Sequence, residues 1–395
     1  MKSKTISVIL VGLLVIGGFV GLFLANSQVR AAGPTYVSGS ITSDTTWSLA
    51  NSPYIVTGNV IVEPGVTLTI EPGVEVKFDG VYSIIVDGRL EAQGTSLNKI
   101  RFTSNQTTPV KGDWYTIRLR TEYNVIDYAD VEYATYGVFM TFFGANNTVS
   151  NTTVNNCKYD GVYITNSDYN TVSDCSITLN DRYGITIYES HYTDVRDCII
   201  QYNNYFGINL NASTYTEIQN CNISFNDGKG ILLYSNSHHT TVIDSEIYNN
   251  NNIGIDLSGT SNNDIINTQV IANNGIGIDF GGETTEQWIE NSDILDNEGT
   301  GIDLRGSSNI DIVGCNISKN KGNGGIFSGS PVSYIDITNI EVWSNLAGNG
   351  IDFYGPSGVN IMSSKFIGNI GDGIKFNTIA NSIYNNINDC IIDSN

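Results

Sequence analysis

Short apolar segments opened by glycine recur along most of the chain, as in GVYI at residue 161, GITI at 184 and GINL at 207. Eleven such segments follow one another from residue 137 to residue 373, at steps of 23 to 25 residues. Within each segment apolar and polar residues alternate, so Ile185 and Ile187 share one face and Thr186 lies on the other. This period of two predicts β-strands, and no stretch of useful length shows the 3.6-residue period of a helix.

A repeat of this length cannot bury its apolar face alone. It can do so by winding into one coil and stacking on the next coil through parallel strand pairing. The segment VEPGVTLTIEPGVEVKF repeats Glu-Pro-Gly at residues 63 and 71, so one side with its corner takes 8 residues. Three sides then take 24 residues, which matches the repeat. The pattern predicts an all-β, three-sided parallel solenoid with coils of 23–25 residues, about 15 coils in all.

Two further positions recur with the same spacing. An asparagine stands four or five residues before most of these glycines, where we expect a ladder of side-chain amides at one corner. The expected members are Asn180, Asn203, Asn226, Asn249, Asn273, Asn297, Asn320, Asn345 and Asn369, with Cys157 in the first coil.

A second ladder begins at Cys175, Cys198 and Cys221. We expect these thiols to be buried and free, because stacked Cβ atoms about 4.8 Å apart exceed the usual disulfide separation.

Stacked G-I-x-L coils with an asparagine corner resemble the right-handed parallel β-helix repeat of pectin-lyase-like proteins. The nearest form is the NosD-like repeat of secreted and surface proteins of archaea and bacteria. The resemblance covers residues 137–395 closely and residues 55–130 more loosely. It implies a right-handed parallel β-helix and leaves the activity open, because polysaccharide lyases, hydrolases, epimerases and non-catalytic proteins share this fold.

The chain divides into three segments by composition. Residues 1–32 combine a basic start, MKSK, with a long apolar run and small residues near Ala31, which predicts a secretory signal peptide or an uncleaved N-terminal anchor. Either alternative places the remainder in an extracellular or cell-surface location. Residues 33–130 are expected to form an N-terminal cap and the first coils, and residues 131–395 the regular coils. Because the sequence stops within a coil, we expect further coils or a partner at that end.

The charge balance limits the partners. The formal net charge of −21 excludes nucleic acid, because binding to phosphates needs a basic surface. The same balance is compatible with cation binding and with solubility. The six cysteines have neither metal-ligand spacing nor a histidine partner.

Catalytic residues are not evident. The stretch YGITIYESH at residues 183–191 is suggestive of the Tyr-Gly-x-Asp-Pro-His of alginate epimerases. Its Asp and Pro are absent and its histidine is displaced, so no catalytic residue is carried over. The best alternative cluster from the residues themselves is Arg182, Tyr183 and His191. Arg182 and His191 flank opposite ends of one predicted strand, which makes a shared hydrogen-bonding site doubtful.

In several coils the position x of the G-I-x-L repeat is an aspartate, and these residues form an acidic column. Asp256, Asp279 and Asp303 occupy it in successive coils, where their carboxylates are expected to stand about 4.8 Å apart on the outer surface. Such a stack is a candidate Ca²⁺ site, because Ca²⁺ prefers several oxygen ligands. In the alternative interpretation the side chains spread into water and salt screens their repulsion. No cofactor is required by either interpretation.

An aromatic column occupies another corner. Tyr169, Tyr192 and Tyr215 repeat at 23 and 23 residues, so their rings are expected to stack and to form a candidate carbohydrate platform. In the alternative interpretation the rings only stabilise one another. The sequence thus favours a structural or carbohydrate-binding β-helix that contacts a polysaccharide or surface glycan. The competing hypothesis is a polysaccharide lyase, hydrolase or epimerase that acts on an acidic glycan.

Overall fold

The computed structural model describes residues 33–395, apart from residues 143, 283, 380 and 381. The predicted signal peptide or anchor therefore lies outside the described residues. Residues 33–395 belong to one compact unit. The one helical turn in the described part of the chain is the 3-10 turn Leu49–Asn51. No helix among the described residues is long and apolar enough to cross a membrane.

Each regular coil carries three short strands, one on each side of a solenoid, and every strand pairs in parallel with its equivalents in the coils before and after. The first side begins after the repeated glycine. Its strands are Ser83–Val86, Thr116–Leu119, Val138–Thr141, Val162–Thr165, Ile185–Tyr188, Ile208–Asn211, Ile231–Tyr234, Ile255–Asp256, Ile278–Asp279, Ile302–Asp303, Gly324–Ser328, Asn349–Tyr354 and Ile374–Asn377.

The second side is a 15-stranded sheet. Its strands are Thr45–Trp47, Thr67–Ile70, Arg89–Gln93, Val125–Asp127, Thr148–Ser150, Thr171–Ser173, Asp194–Arg196, Glu217–Gln219, Thr241–Ile243, Ser261–Ile266, Thr285–Glu290, Ser308–Val313, Ser333–Thr338, Asn360–Met362 and Asn386–Asn388.

The third side carries the asparagine and cysteine corners at its two ends. Its strands are Glu75–Phe78, Ile100–Ser104, Ala129–Glu132, Thr153–Asn155, Ser176–Thr178, Ile199–Gln201, Asn222–Ser224, Glu246–Tyr248, Gln269–Ile271, Asp293–Leu295, Asn316–Ser318, Glu341–Trp343, Lys365–Ile367 and Ile391–Asp393. The long strand Tyr54–Val62, which also pairs with Thr35–Ile41, joins the first and third sides because its two ends pair with different strands of the next coil. The predicted all-β, three-sided parallel solenoid is confirmed.

The asparagine ladder explains why glycine opens each first-side strand. In each coil the Asn side chain donates from Nδ2 to Oδ1 of the next Asn, as Asn180 does to Asn203 over 3.0 Å. The same Oδ1 also accepts the backbone N–H of Asn180. A Cβ at Gly184 would lie 2.7 Å from the carbonyl oxygen of Gly207 and 3.0 Å from the amide nitrogen of Asn203. Only glycine therefore lets the chain pass this close to the ladder.

The ladder corrects one sequence-based assignment. Asn250, not Asn249, accepts from Asn226 and donates to Asn273. Asn249 is exposed and has a φ of 53°, a left-handed conformation that asparagine tolerates better than most residues. The predicted start at Cys157 is confirmed, since its backbone N–H donates to Asn180.

The second small-residue ladder is also confirmed. Cys175, Cys198 and Cys221 are buried, and all six cysteines are free. Ser245 continues the ladder by accepting the backbone N–H of Cys221 through its hydroxyl. Burial raises the pKa of the Cys315 thiol to about 12, so this thiol stays protonated and unreactive at neutral pH.

Candidate functional site

The outer face of the first side carries most of the features that fit a ligand. Two residues per coil project there: the residue before the repeated glycine and the residue two positions after it. From one coil to the next the latter position is paired in register, so Tyr163, Thr186, Asn209 and Leu232 form one column. Because the alternation of the strand fixes which side chains point outward, this column runs along the solenoid without interruption.

A continuous group of rings and cations covers the early part of this face. We call it the aromatic–basic surface; it consists of Arg118, Tyr136, Phe139, Lys158, Tyr159, Tyr163, Arg182, Tyr183 and Phe206. Its rings touch in sequence: Tyr136 and Tyr163 have centroids 5.7 Å apart, and Phe139 and Tyr163 4.9 Å apart. Tyr183 and Phe206 form a second group of rings, with centroids 5.2 Å apart. The rings are mostly half-buried, so they combine fixed positions with accessible apolar area.

Four cations lie on these rings, and one of them, Lys229, is 5.7 Å from the centroid of Phe206 and pairs with Asp256. The Arg118 guanidinium is 5.0 Å from the centroid of Phe139, and that of Arg182 is 4.6 Å from the centroid of Tyr183. The Lys158 ammonium is 5.9 Å from the ring of Tyr159. Among the described residues Arg118 and Lys158 form no ion pair, whereas 13 of the other 14 described lysines and arginines do. Positive charge is thus left available here, on a chain whose net charge is −21.

One carboxylate lies beneath this surface. The side chain of Asp160, the residue before Gly161, is 0% exposed. Its Oδ1 is 3.9 Å from Nε of Arg182 and 3.5 Å from the backbone nitrogen of Tyr183, and its Oδ2 has no hydrogen-bond partner in the part of the chain that the structure describes. Burial raises the pKa of Asp160 to about 6, against the opposing effect of Arg182. Burial, assisted by Asp160, also raises the pKa of Tyr136 to about 12.

Two neutral polar groups continue from Asp160 along the column. Thr186 and Asn209 stand in successive coils, and each side chain is 5% exposed. The Thr186 hydroxyl lies near the Asp160 carboxylate without a well-formed hydrogen bond, and Oδ1 of Asn209 has no partner. Buried polar atoms in folded proteins are nearly always paired, and among the described residues the hydroxyls of Thr193, Thr216 and Thr240 are unpaired in three successive coils as well.

The alternative catalytic cluster is only partly brought together. Arg182 and Tyr183 are in contact, as their neighbouring positions require. His191 lies beyond the other end of the strand Ile185–Tyr188, where its Nδ1 is 2.7 Å from Oγ1 of Thr214. Arg182 and His191 therefore lie at opposite ends of one strand, and Asp160 is the group that lies beside Arg182.

The predicted tyrosine stack is present at the corner between the first and second sides. Tyr169, Tyr192 and Tyr215 have successive centroid distances of 4.8 Å and interplanar angles of 2° and 4°. His239 extends the stack at 4.6 Å. We call these four residues the stacked-ring corner. The faces of the rings cover one another, so their edges and the tyrosine hydroxyls are the parts directed to solvent.

The acidic column is covered and compensated. Asp256, Asp279 and Asp303 project from the first side, yet each residue is at most 5% exposed. Asp256 pairs with Lys229, and Arg305 lies 3.0 Å from Asp303 and 3.4 Å from Asp279.

Each of these carboxylates also closes its own turn. Asp256 accepts the backbone N–H of Ser258, and Asp279 accepts that of Gly281. Burial raises the pKa of Asp279 to about 6, opposed by Arg305. Within the described residues no group of three or more histidine, cysteine or acidic side chains is arranged to hold a metal ion. Ca²⁺ binding by these three aspartates stays a prediction.

Of the aromatic–basic surface the sequence analysis named only Arg182 and Tyr183, and it also missed Asp160 and His239. Asp160 could have been found by aligning the residue before each glycine, where Tyr136, Asp160, Tyr183 and Phe206 succeed one another. His239 was missed because its coil is one residue longer, which shifts it out of the 23-residue spacing of the tyrosines.

Comparison with solved structures shows the same architecture. The periplasmic alginate epimerase AlgG aligns with a TM-score of 0.55 and 16% identity, over 72% of this chain and 77% of that chain. The catalytic domain of a GH87 alpha-1,3-glucanase in complex with nigerose aligns with a TM-score of 0.52 and 12% identity, over 82% of this chain and 63% of that chain. At this identity the likeness concerns the fold alone.

Sequence comparison gives the family. No curated protein matches the chain. The profile of the family described as "Right handed beta helix region" matches residues 84–244, 183–287 and 283–395. These overlapping matches cover most of the chain and coincide with the coils of the solenoid. The chain therefore belongs to the right-handed β-helix family.

Proposed function

We propose that this β-helix binds an anionic polysaccharide along the aromatic–basic surface. The observation that carries the proposal concerns Arg118 and Lys158, two cations that lie over rings and have no carboxylate partner in the described part of a chain with a net charge of −21. A protein with this balance repels polyanions in general, so a local basic surface favours binding at one place and in one orientation.

The rings add apolar contact to this charge. Carbohydrate and other ligand sites combine aromatic walls with a few placed polar groups, and the half-buried Tyr136, Phe139 and Tyr163 supply such walls. The column from Arg118 to Leu232 spans five coil steps, or about 24 Å at the usual strand spacing. This length fits several units of an extended chain, which would gain affinity from many weak contacts.

The stacked-ring corner is a second proposed contact. Tyr169, Tyr192 and Tyr215 remain between 45% and 53% exposed despite their stacking. Because the ring faces cover one another, we expect the edges and hydroxyls to touch a glycan. This contact should therefore be weaker than that of the aromatic–basic surface, where rings are tilted and more varied.

A polysaccharide-modifying enzyme is the second candidate function. A buried carboxylate beside an arginine and a tyrosine, as at Asp160, is an arrangement suited to proton transfer on a uronic acid. Structural neighbours include an alginate epimerase and an α-1,3-glucanase. Release of unsaturated or reducing ends, or exchange of a sugar proton with solvent deuterium, would identify such an enzyme. A location outside the cytoplasm is part of both proposals.

The test is retention on immobilised alginate. The double variant Arg118→Gln, Lys158→Gln should lose roughly tenfold in affinity at low salt and should show a smaller salt dependence. Lys319→Gln is the matched control, because Lys319 also lies over a ring, 5.5 Å from Trp343, and also lacks an ion pair among the described residues. Equal losses in the double variant and the control, or full retention by the double variant, would contradict the proposal.

A further inference from the structure

A groove on the second side of the solenoid lies apart from the surfaces described above. It has a volume of about 360 Å³, and its walls are two parallel columns of outward side chains. Trp288, Asp311 and Asp336 form one column, because they are paired in register in three successive coils. Glu286, Asn309 and Tyr334 form the other column at the adjacent corner, where each has a φ of 54° or 55°.

The sizes of the side chains explain the depression. The middle coil presents the short side chains of Asn309 and Asp311, whereas Trp288 in the coil before and Tyr334 in the coil after carry large rings. These two rings are 37% and 67% exposed. The indole is fixed in place, since its Nε1 donates to Oε2 of Glu290 over 3.0 Å. Two coil steps, or about 9.6 Å at the usual strand spacing, separate the rings and leave room for a sugar ring between them.

The groove is acidic, and its charge is not compensated. Glu286, Asp311 and Asp336 form no ion pair within the described part of the chain. Burial raises the pKa of Asp311, and the charge of its neighbour Asp336 raises this pKa further. The acidic side chains that the structure describes are not grouped to hold a metal ion. An organic cation would relieve the repulsion, and an exposed indole attracts such a group as well.

We propose that this groove binds a protonated amino sugar of a glycan. The sugar ring packs against Trp288 and Tyr334, and its ammonium group donates to the carboxylates of the middle and last coils. Sites for sugars combine aromatic walls with a few placed polar groups, and charge-assisted hydrogen bonds are the stronger ones among these. The groove lies on another side of the solenoid and takes a ligand of opposite charge, so the proposal does not rest on polyanion binding by the aromatic–basic surface.

A peptide rich in lysine or arginine offers the same charge, but the groove lacks what an extended peptide uses. Such peptides commonly add a strand to the free edge of a sheet. Here the strands Thr285–Glu290, Ser308–Val313 and Ser333–Thr338 are each paired on both sides. Their main-chain groups are therefore already used, and recognition by rings and carboxylates favours a sugar.

The test compares three small ligands by isothermal titration calorimetry. They are a tetramer of β-1,4-linked glucosamine, its fully N-acetylated form, and tetralysine. The acetylated tetramer keeps the sugar rings and lacks the ammonium groups, whereas tetralysine keeps the charge and lacks the rings. Wild-type protein should bind the glucosamine tetramer at least about tenfold more tightly than either of the other two.

Variants supply the second arm of the test. Trp288→Ala should weaken binding of the glucosamine tetramer by roughly tenfold and Asp311→Asn by about fivefold. Two controls on the third side should bind like the wild type. Trp343→Ala removes a half-buried ring that already has Lys319 at 5.5 Å, and Asp293→Asn removes one negative charge. Circular dichroism checks the fold, and if Trp288→Ala does not fold, Asp311→Asn against Asp293→Asn still decides.

Several results would overturn the proposal. Equal binding of the two tetramers would show that the ammonium group is not recognised. Tighter binding of tetralysine, lost in Trp288→Ala and Asp311→Asn, would assign the groove to a cationic peptide. Equal losses in Asp311→Asn and Asp293→Asn would reduce the binding to the general attraction of cations to a chain with a net charge of −21.

Discussion

The outer face of the first side contains buried aspartates in two neighbouring regions, and their surroundings differ. In the carboxylate row, Asp256, Asp279 and Asp303 each have a cation within 3.4 Å or closer and a backbone N–H as partners. Beneath the aromatic–basic surface, Asp160 has an arginine at 3.9 Å, one long backbone hydrogen bond of 3.5 Å from Tyr183, and one oxygen without a hydrogen-bond partner among the described residues. Both regions lie on the first side, but Asp160 precedes its strand Val162–Thr165, whereas the three other aspartates lie within their strands, so the two regions differ in position and in neighbours.

This difference separates two uses of a buried charge. A carboxylate that closes its own turn and meets a cation contributes to the fold, and removal of its partner leaves it uncompensated. A buried carboxylate whose partners are only distant destabilises the fold when it is charged, and a protein that keeps one at this position gains something other than stability from it. The two regions should therefore respond with opposite signs when their charges are removed.

The largest effect is expected at Lys229. Lys229→Met leaves Asp256, which is 3% exposed, without its cation and should lower the free energy of unfolding by about 3 kcal/mol at pH 7. Urea unfolding measures this change. The control is Lys321→Met, whose pair with Glu298 is about half exposed and should contribute less than about 1 kcal/mol. If both variants lose the same small amount, the carboxylate row does not depend on its cations.

The opposite sign is expected at Asp160. Its folded-state pKa of about 6 lies above the ordinary value of 3.8, so ionisation disfavours the folded state. The stability contributed by the protonated carboxyl is fully present below about pH 4 and is lost as the pH rises through about 6. Asp160→Asn should therefore raise the free energy of unfolding by about 2 kcal/mol at pH 8 and leave it almost unchanged at pH 4.

The free energy of unfolding of this variant, measured as a function of pH, tests the prediction. Unfolding of wild-type protein and Asp160→Asn by urea at pH 4, 6 and 8 gives the difference directly. A variant that is less stable than wild type at pH 8 would show that Asp160 holds the coil together. A more stable variant that binds polyuronate more weakly would indicate a group kept for function at the expense of stability.

Most of the solenoid was predictable because its repeat is enforced by close contacts. A Cβ at Gly184 would collide with the next coil, and each Asn of the ladder bonds to the next, so the spacing of these residues in the sequence mirrors the spacing of the coils. The error at Asn249 arose where three more asparagines follow in the sequence and the coil holds 24 residues. Spacing alone could not choose between neighbours of the same type there.

The site was less predictable because it depends on which side chains reach across coils. The alternation of residues along the strand predicted that Asp279 points outward. It could not predict that Arg305 reaches both Asp303 in its own coil and Asp279 in the preceding coil. Asp160 belongs to the column of residues before each glycine, where no single residue type repeats from coil to coil. Oδ2 of Asp160 has no hydrogen-bond partner among the described residues, and only the three-dimensional arrangement shows this.

The smallest effect is expected from Ca²⁺ at the carboxylate row. In the wild-type chain Lys229 and Arg305 already compensate Asp256, Asp279 and Asp303, so Ca²⁺ would have to displace an arginine and should raise the melting temperature only slightly. Arg305→Gln removes that competitor and leaves three carboxylates facing one lysine. Millimolar Ca²⁺ should then stabilise this variant more than the wild type, because oxygen ligands and excess negative charge favour the ion.

Mg²⁺ at the same concentration is the control for ionic strength, and adding Asp279→Asn should remove most of the gain by interrupting the middle of the row. If Arg305→Gln responds to Ca²⁺ no more than to Mg²⁺, the three aspartates serve the turns of the solenoid and do not form a calcium site.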